Sequence, residues 1–274
     1  MKNSKLFSGT ILMAAFALTV GCEDTSLEDL LSEGDAQVSE SYMKTEASLY
    51  NLYSVVDVSL RDSLFQVNDS AMVDGATVIR SGSNVTINFG TGVIGSDGRT
   101  RKGIIEVIES GDYMTLASLD IELKGYSVND EKVTGSIELD KAGSDFGLVI
   151  TGFSADQEIE IDADKTISWR KGFTTLSNSD DDVFDISGTA TGKDLKDNRE
   201  LSTSITEAMN YDRSCEFKMV SGIIELTLQP NDSIPDVTEA AIDFLADDAC
   251  NNLAKIKLKQ GETEIEVTKQ FNGF

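Results

Sequence analysis

A chain of 274 residues, 40% hydrophobic and 26% charged, is long enough to bury a substantial core as one large domain or two small ones. A formal charge of −25 repels phosphate backbones and anionic headgroups. It disfavours nucleic acid as a partner and leaves a lipid, rather than a basic patch, as the means of reaching a membrane. There is no histidine, which excludes Ser-His-Asp and Cys-His catalysis, His-ligated zinc and the usual general base near neutral pH.

The chain opens with MKNSKLFSGTILMAAFALTVGC, a basic start followed by an apolar run from Ile11 to Val20. That run is shorter than the roughly 20 residues that span a bilayer, so residues 1–21 are expected to be a secretory signal peptide. Leu18-Thr19-Val20-Gly21-Cys22 resembles a bacterial lipobox, with Thr19 where Leu is usual and Leu18 one place early. Cys22 then becomes the mature N-terminus and carries diacylglycerol and palmitate chains. Each buried CH₂ contributes about 0.8 kcal/mol, so two or three chains anchor the protein stably. Removing Lys2 and Lys5 with the signal takes the charge from −25 to −27. Glu23 and Asp24 follow the cysteine directly, as in lipoproteins exported to the outer surface. The expected location is the outer membrane, with the cell surface favoured over the periplasmic face.

Residues 22–36 are acidic and poor in core side chains, and they read as a lipidated tether. Over residues 37–67, Val38, Tyr42, Leu49, Tyr53, Val56, Leu60 and Leu64 recur at spacings of 3, 4 and 7. This predicts one amphipathic helix, about 38–66, with Ser39 or Ser41 as its cap and its apolar stripe packed on the rest of the domain. From residue 76 to the end the period falls to two. Val85, Ile87 and Phe89 share one face and Thr86 and Asn88 the other; Leu119, Ile121 and Leu123, then Val133, Ile137 and Leu139, repeat the pattern. About twelve such runs are separated by Gly, Asn, Asp or Ser clusters. The expected fold is therefore mostly β, an extended antiparallel β-meander or a two-layer β-sheet domain wet on one face, preceded by one helix.

Cys215 and Cys250 remain as an even pair in an oxidising compartment. A disulfide is expected; the alternatives are two buried free thiols or a reactive nucleophile, which the lack of histidine disfavours. The segment INFGTGVIGSDGRTRKG places Gly90, Gly92 and Gly95 at G-x-G-x-x-G spacing. A dinucleotide loop would need a helix after it, and here a β-like run, IIEVIE, follows. Asp97-Gly98 is instead a hairpin dipeptide, and no nucleotide is expected. Arg99, Arg101 and Lys102 in that hairpin are candidate anion contacts; cross-strand charge balance is the plainer reading. Asp180, Asp181 and Asp182, and Asp162 with Asp164, carry oxygen ligands without an EF-hand loop, and they read as solvated turns rather than a metal site. Trp169, Tyr126, Phe153 and Phe173 could form a sugar platform but read first as core. No pattern calls for a cofactor or a metal.

The segment TINFGTGVIGSDGRTRKGIIEV resembles a family of uncharacterised Bacteroidota-type cell-envelope lipoproteins, in which a short helical region precedes a long antiparallel β domain. ISWRKG, DVFDISGTATG, CEFKMVSGIIEL and DDACNNLAKIKLKQGETEIEV extend the similarity over residues 76–268, with Gln260-Gly261 where Asn-Gly is expected in the last hairpin. The resemblance implies location and architecture and assigns no activity to any residue. The expected function is a non-catalytic envelope lipoprotein, binding or structural, with a glycan or another envelope protein as ligand. The alternatives are a carboxylate-dependent glycan hydrolase, which needs two acids about 5–10 Å apart in a cleft, and a subunit of a surface assembly joined through exposed strand edges.

Overall fold

The computed structural model describes residues 34–176, 178–215, 218–230, 237–245, 250 and 253–270. The expected signal peptide, the lipidation site Cys22 and the start of the tether lie outside them. The described chain begins with α1 (Gly34–Arg61), 28 residues and about 42 Å long. It stops one residue before Asp62, whose side chain caps α2 (Ser63–Asn68) by accepting from the Phe65 N–H at 2.9 Å. The expected single helix of residues 38–66 is thus broken at Asp62. The break resets the helical phase, so Phe65 turns into the core and Leu64, expected on the apolar stripe, is 62% exposed.

Among the described residues, everything after α2 is strand, turn or loop. The first half comprises β1 (Ser70–Val73), β2 (Ala76–Ser81), β3 (Asn84–Ile94), β4 (Thr100–Asp112), β5 (Leu116–Val128), β6 (Glu131–Lys132), β7 (Thr134–Ala142) and β8 (Asp145–Ser154). The second half comprises β9 (Ile159–Lys171), β10 (Val183–Asp194), β11 (Arg199–Asp212), β12 (Met219–Leu228), β13 (Glu239–Phe244), β14 (Leu253–Gln260) and β15 (Thr263–Gln270). They form one 15-stranded sheet in which neighbours in sequence are neighbours in space; the two-residue β6 alone sits off the path, beside β5. The mostly-β meander is the observed fold, with three strands more than the roughly twelve expected. The ambiguous segment VTEAAIDFL supplies β13, not a helix.

The second layer is not another sheet but α1. Strands from both halves of the sheet reach it. Tyr42 meets Thr203 on β11 at 2.6 Å, Lys165 on β9 meets Glu46 at 2.7 Å, and Arg101 on β4 meets Asn51 at 3.0 Å. Tyr53 stacks edge-on against Phe146 of β8 and Phe184 of β10, and Lys269 on β15 pairs with Glu40 at 2.6 Å. The sheet is rolled around the helix. Alternation does the rest: β9 reads buried-exposed along nearly its whole length, with Ile159, Ile161, Ile167 and Trp169 inward and their neighbours in water. α1 is enclosed over most of its circumference, with a stripe of Gln37, Glu40, Lys44, Ala47, Ser54 and Val58 half-buried or exposed. Ser39, Thr45, Glu46, Asp57 and Ser59 are as enclosed as Leu49 and Tyr53, whereas the expected amphipathic helix has a wet face.

Curling so long a sheet requires bends. The β3–β4, β4–β5, β7–β8, β8–β9 and β10–β11 ladders all slip register in mid-strand, and each bulge adds local bend and twist. Gly103 shows why glycine occupies such a point. Its φ is +84°, and a Cβ there would lie 2.2 Å from the Gly125 carbonyl oxygen. Among the described residues no helix is long and apolar enough to cross a membrane.

The mouth of the roll as candidate functional site

Four connections converge over the C-terminal half of α1. The β1–β2 turn brings Asp74, the β3–β4 hairpin brings Asp97, the β9–β10 loop brings Asp180, and the β11–β12 loop brings Arg213 and Lys218. With Asn51, Ser54 and Val58 of the helix they enclose a cavity of about 160 Å³. The glycine segment builds one wall. Gly98 N–H donates to the Gly95 carbonyl at 3.0 Å, and Gly95 N–H to the Arg99 carbonyl at 2.9 Å. With Gly98 at φ +76° this is a short hairpin closed by a left-handed glycine. The turn aims Asp97 back at the strand it introduces, and Asp74 ties the hairpin to its neighbour by accepting from the Ser96 N–H at 2.6 Å.

The three cations singled out in the sequence have separate fates. Arg101 points inward and is 2% exposed. Its Nη1 and Nη2 grip Asp97 at 2.9 and 2.5 Å, and Nη2 also reaches Asn51 at 3.0 Å. Arg99 donates to the same carboxylate at 2.8 Å, while Lys102 faces outward and pairs with Asp130. Burial alone would raise the Asp97 carboxyl, but the hydrogen bonds and charge of Arg101, then of Arg99, bring it down to about 2.

Beneath the cavity floor lies a four-membered ionic cluster. Arg61 Nη1 donates to Asp57 at 2.9 Å and to Asp182 at 2.6 Å, and Arg213 Nη1 to the same two at 2.8 and 3.0 Å. Tyr113 gives its hydroxyl proton to Asp57 at 2.8 Å, and the Trp169 indole N–H reaches Asp182 at 3.1 Å. The Arg61 guanidinium also lies over the Trp169 ring at 4.5 Å, and that of Arg213 over Phe184 at 5.1 Å. Burial presses both carboxyls upward. For Asp57 the charges of Arg213 and Arg61 outweigh it and the pKa falls; for Asp182 burial prevails and the pKa rises. Arg213 is held above the cluster by its own backbone, whose N–H donates to the Asp182 carbonyl at 3.0 Å. Lys218 caps the same loop, donating to the carbonyls of Arg213 at 2.9 Å and Cys215 at 3.4 Å. Burial, then the neighbouring Arg213 and Arg99, lowers its pKa. Cys215 is joined to Cys250 by a disulfide, which staples this loop to the connection between β13 and β14.

Asp182 therefore corrects the reading of residues 180–182 as a solvated turn. Asp180 and Asp181 are exposed, but Asp182 is fully buried, because two arginines and an indole N–H replace its water. Asp162 and Asp164 are exposed strand residues. Trp169, Tyr126 and Phe153 are core, and Phe173, 45% exposed, packs edge-on against Trp169. Among the described residues no group of three or more acidic or cysteine side chains is placed to hold a metal.

The residues that sequence reasoning passed over are Glu46, Asp57, Arg61, Lys165, Arg213 and Lys218. One signal for the helical ones was present: Glu46 and Asp57 directly adjoin apolar stripe positions. A wider concavity of about 440 Å³ lies on the outer face of β9–β12. Lys193 there is the cross-strand neighbour of both Glu160 and Glu200, a charge ladder on a wet face; no aromatic residue lines it. No protein-family model matches the chain, and no curated protein or solved structure is significantly similar to it.

Proposed function

We propose that this is a non-catalytic lipoprotein of the bacterial cell envelope, anchored in the outer membrane through acylated Cys22, that binds a glycan or another envelope protein through the mouth of the roll. The observation that carries the binding reading is the convergence of four separate connections, one stapled by a disulfide, over a cavity with buried arginines in its wall. A merely structural roll does not need its loops gathered and cross-tied at one place. The helix rises about 1.5 Å per residue, so Asn51 stands about 25 Å along the axis from Gly34. An anchor at Cys22 therefore leaves the mouth toward the far end of α1 from the tether. The glycan-hydrolase alternative has its carboxylates in the outer concavity, but Lys193 stands between Glu160 and Glu200 and, among the described residues, no ring lines it to stack on a sugar. Metabolic labelling with palmitate, compared between the natural chain and Cys22→Ser, tests the anchor, and protease shaving of intact cells tests its outward display. A glycan array and a pull-down with the protein from residue 23 onward test the binding role; turnover in a broad hydrolase screen would overturn the non-catalytic reading.

A further inference from the structure

The mouth has hydrogen-bond donors without acceptors. Arg213 uses only Nη1 on Asp57 and Asp182; its Nε and Nη2 are buried and reach no partner among the described residues. Arg101 spends Nη1 and Nη2 on Asp97 and Asn51; its buried Nε makes no hydrogen bond among the described residues, and the Tyr126 hydroxyl lies beside the guanidinium. Both side chains are more than nine-tenths buried, and both line the cavity. A buried guanidinium N–H left unpaired is costly, and a charged acceptor satisfies it best. Lys218 lines the same cavity and adds a third cationic side chain to its wall. Of the carboxylates in the wall, Asp97 is spent on Arg99 and Arg101, and Asp74 on the Ser96 N–H. Asp74 also lies 4.0 Å from Arg101, and the Asp180 side chain sits exposed at the rim.

We propose that the mouth cavity is an oxyanion site, in which the unused N–H groups of Arg213 and Arg101, with Lys218, hold the carboxylate or phosphate group of an acidic ligand. The cavity, about 160 Å³, has room for roughly five waters, which suits one such group with a few further atoms while the rest of the ligand extends outward. An acidic sugar or a phosphorylated envelope glycan presents this chemistry. The inference rests on the mouth being the binding surface and narrows what it binds.

The test is a titration of the protein from residue 23 onward, labelled with ¹⁵N, at constant ionic strength. The probes are acetate, D-glucuronate, inorganic phosphate and sulfate, with neutral D-glucose as control. The Nε–Hε resonances of Arg101 and Arg213 are followed. At least one anion is expected to move both saturably with a common Kd, and glucose to move neither. The lower Kd of the carboxylate or phosphate arm identifies the source of the group. Asp180→Asn, an exposed change, tightens binding several-fold by removing the rim charge, and Lys218→Gln weakens it about tenfold. Val58→Trp fills the mouth without touching a charge and abolishes binding, and an unchanged melting temperature shows that each variant is folded. No saturable movement of either resonance up to about 50 mM of every anion overturns the oxyanion site. If a neutral glycan binds instead and Val58→Trp blocks it, the mouth stands as a binding surface and the oxyanion assignment alone falls.

Discussion

The Glu46–Lys165 pair offers the sharpest test of how the rolled sheet holds its helix. Both side chains are fully buried, with Nζ 2.7 Å from the carboxylate, and Tyr42 adds its hydroxyl to the same carboxylate. Burial would raise the Glu46 pKa, but the charge and hydrogen bond of Lys165 reverse this and hold it below the ordinary value. Lys165→Met leaves the carboxylate in an apolar enclosure with only hydroxyl donors. Breaking one side of a buried pair costs about 3–5 kcal/mol. For a domain of this size each kcal/mol moves Tm by about 2–4 °C, so the single variant should melt about 6–20 °C lower. Replacing both partners, as Glu46→Leu with Lys165→Met, removes the desolvation cost together with the attraction and should melt above either single variant. The pH dependence separates this account from simple loss of packing. In the natural chain Glu46 is depressed, so its contribution is present above the ordinary carboxyl pKa and is lost as pH falls through the folded value. In Lys165→Met the unpaired carboxyl is raised above its unfolded value, so the deficit is smallest at low pH and grows as pH rises. Thermal melts followed by far-UV circular dichroism from pH 4 to 8 read both effects. A Lys165→Met deficit below about 1 kcal/mol, or one that does not vary with pH, would refute the reasoning.

Other outcomes follow from single features. Asp57 and Asp97 are depressed as Glu46 is and outnumber Asp182, whose raised pKa acts in the opposite sense; with no histidine in the chain stability should be nearly flat through neutral pH and fall from about pH 4 toward 2, as an acid titration of folding would show. Lowering the Asp97 carboxyl from 3.8 to about 2 accounts for about 1 kcal/mol of that loss, because solvent at the exposed hairpin screens the pair. Gly103→Ala meets the Gly125 carbonyl at 2.2 Å, whereas Gly98→Ala, at φ +76°, meets nothing within 4 Å. Urea melts should therefore show about 1–2 kcal/mol for Gly98→Ala, the cost of the left-handed backbone, and clearly more for Gly103→Ala. The Cys215–Cys250 bridge spans a sequence separation of 35 residues, for which chain entropy gives about 3–4 kcal/mol, so its reduction should lower Tm by about 6–16 °C.

The strands were legible because a sheet wet on one face writes period two into the sequence. Val85, Ile87 and Phe89 turn inward as their alternation predicts. The hairpin at Asp97-Gly98 was legible through the positive φ its second residue needs. The helix was legible in place but not in environment. Amphipathic reasoning sends every polar side chain to water, and it fails for Glu46 and Asp57, whose partners lie 119 and 156 residues later at Lys165 and Arg213. No local window contains both members of such a pair. The bulges themselves were not legible: Gly103, at the start of one run, and Gly188, within another, sit in strands at register slips, and a two-residue period continuing through a glycine was the available signal. Of the mouth, Arg99 and Arg101 were found because they adjoin a recognisable turn. Arg213 and Lys218 lie in another loop, and only the curl of the sheet brings them to the same cavity.

That curl gives the buried polar pairs a second consequence. A helix enclosed over most of its circumference by side chains of similar size can slide or rotate at small cost, since apolar contact is non-directional. The hydrogen bonds at Tyr42, Glu46, Asn51, Asp57 and Arg61 reach β11, β9, β4 and the two loops of the mouth, and they admit one rotation and one height. Asn51 and Asp57 hold Arg101 and Arg213 respectively, so whatever fixes the helix also fixes the two guanidinium groups at the mouth. The Glu46→Leu, Lys165→Met double variant should therefore separate stability from order. Its Tm recovers toward that of the natural chain, while the Nε–Hε resonances of Arg101 and Arg213, remote from the substitutions along the helix, broaden or double as the helix samples more than one position. Single sharp resonances at their natural positions would show that the apolar enclosure alone sets the register. The buried pair would then add nothing to the geometry of the mouth.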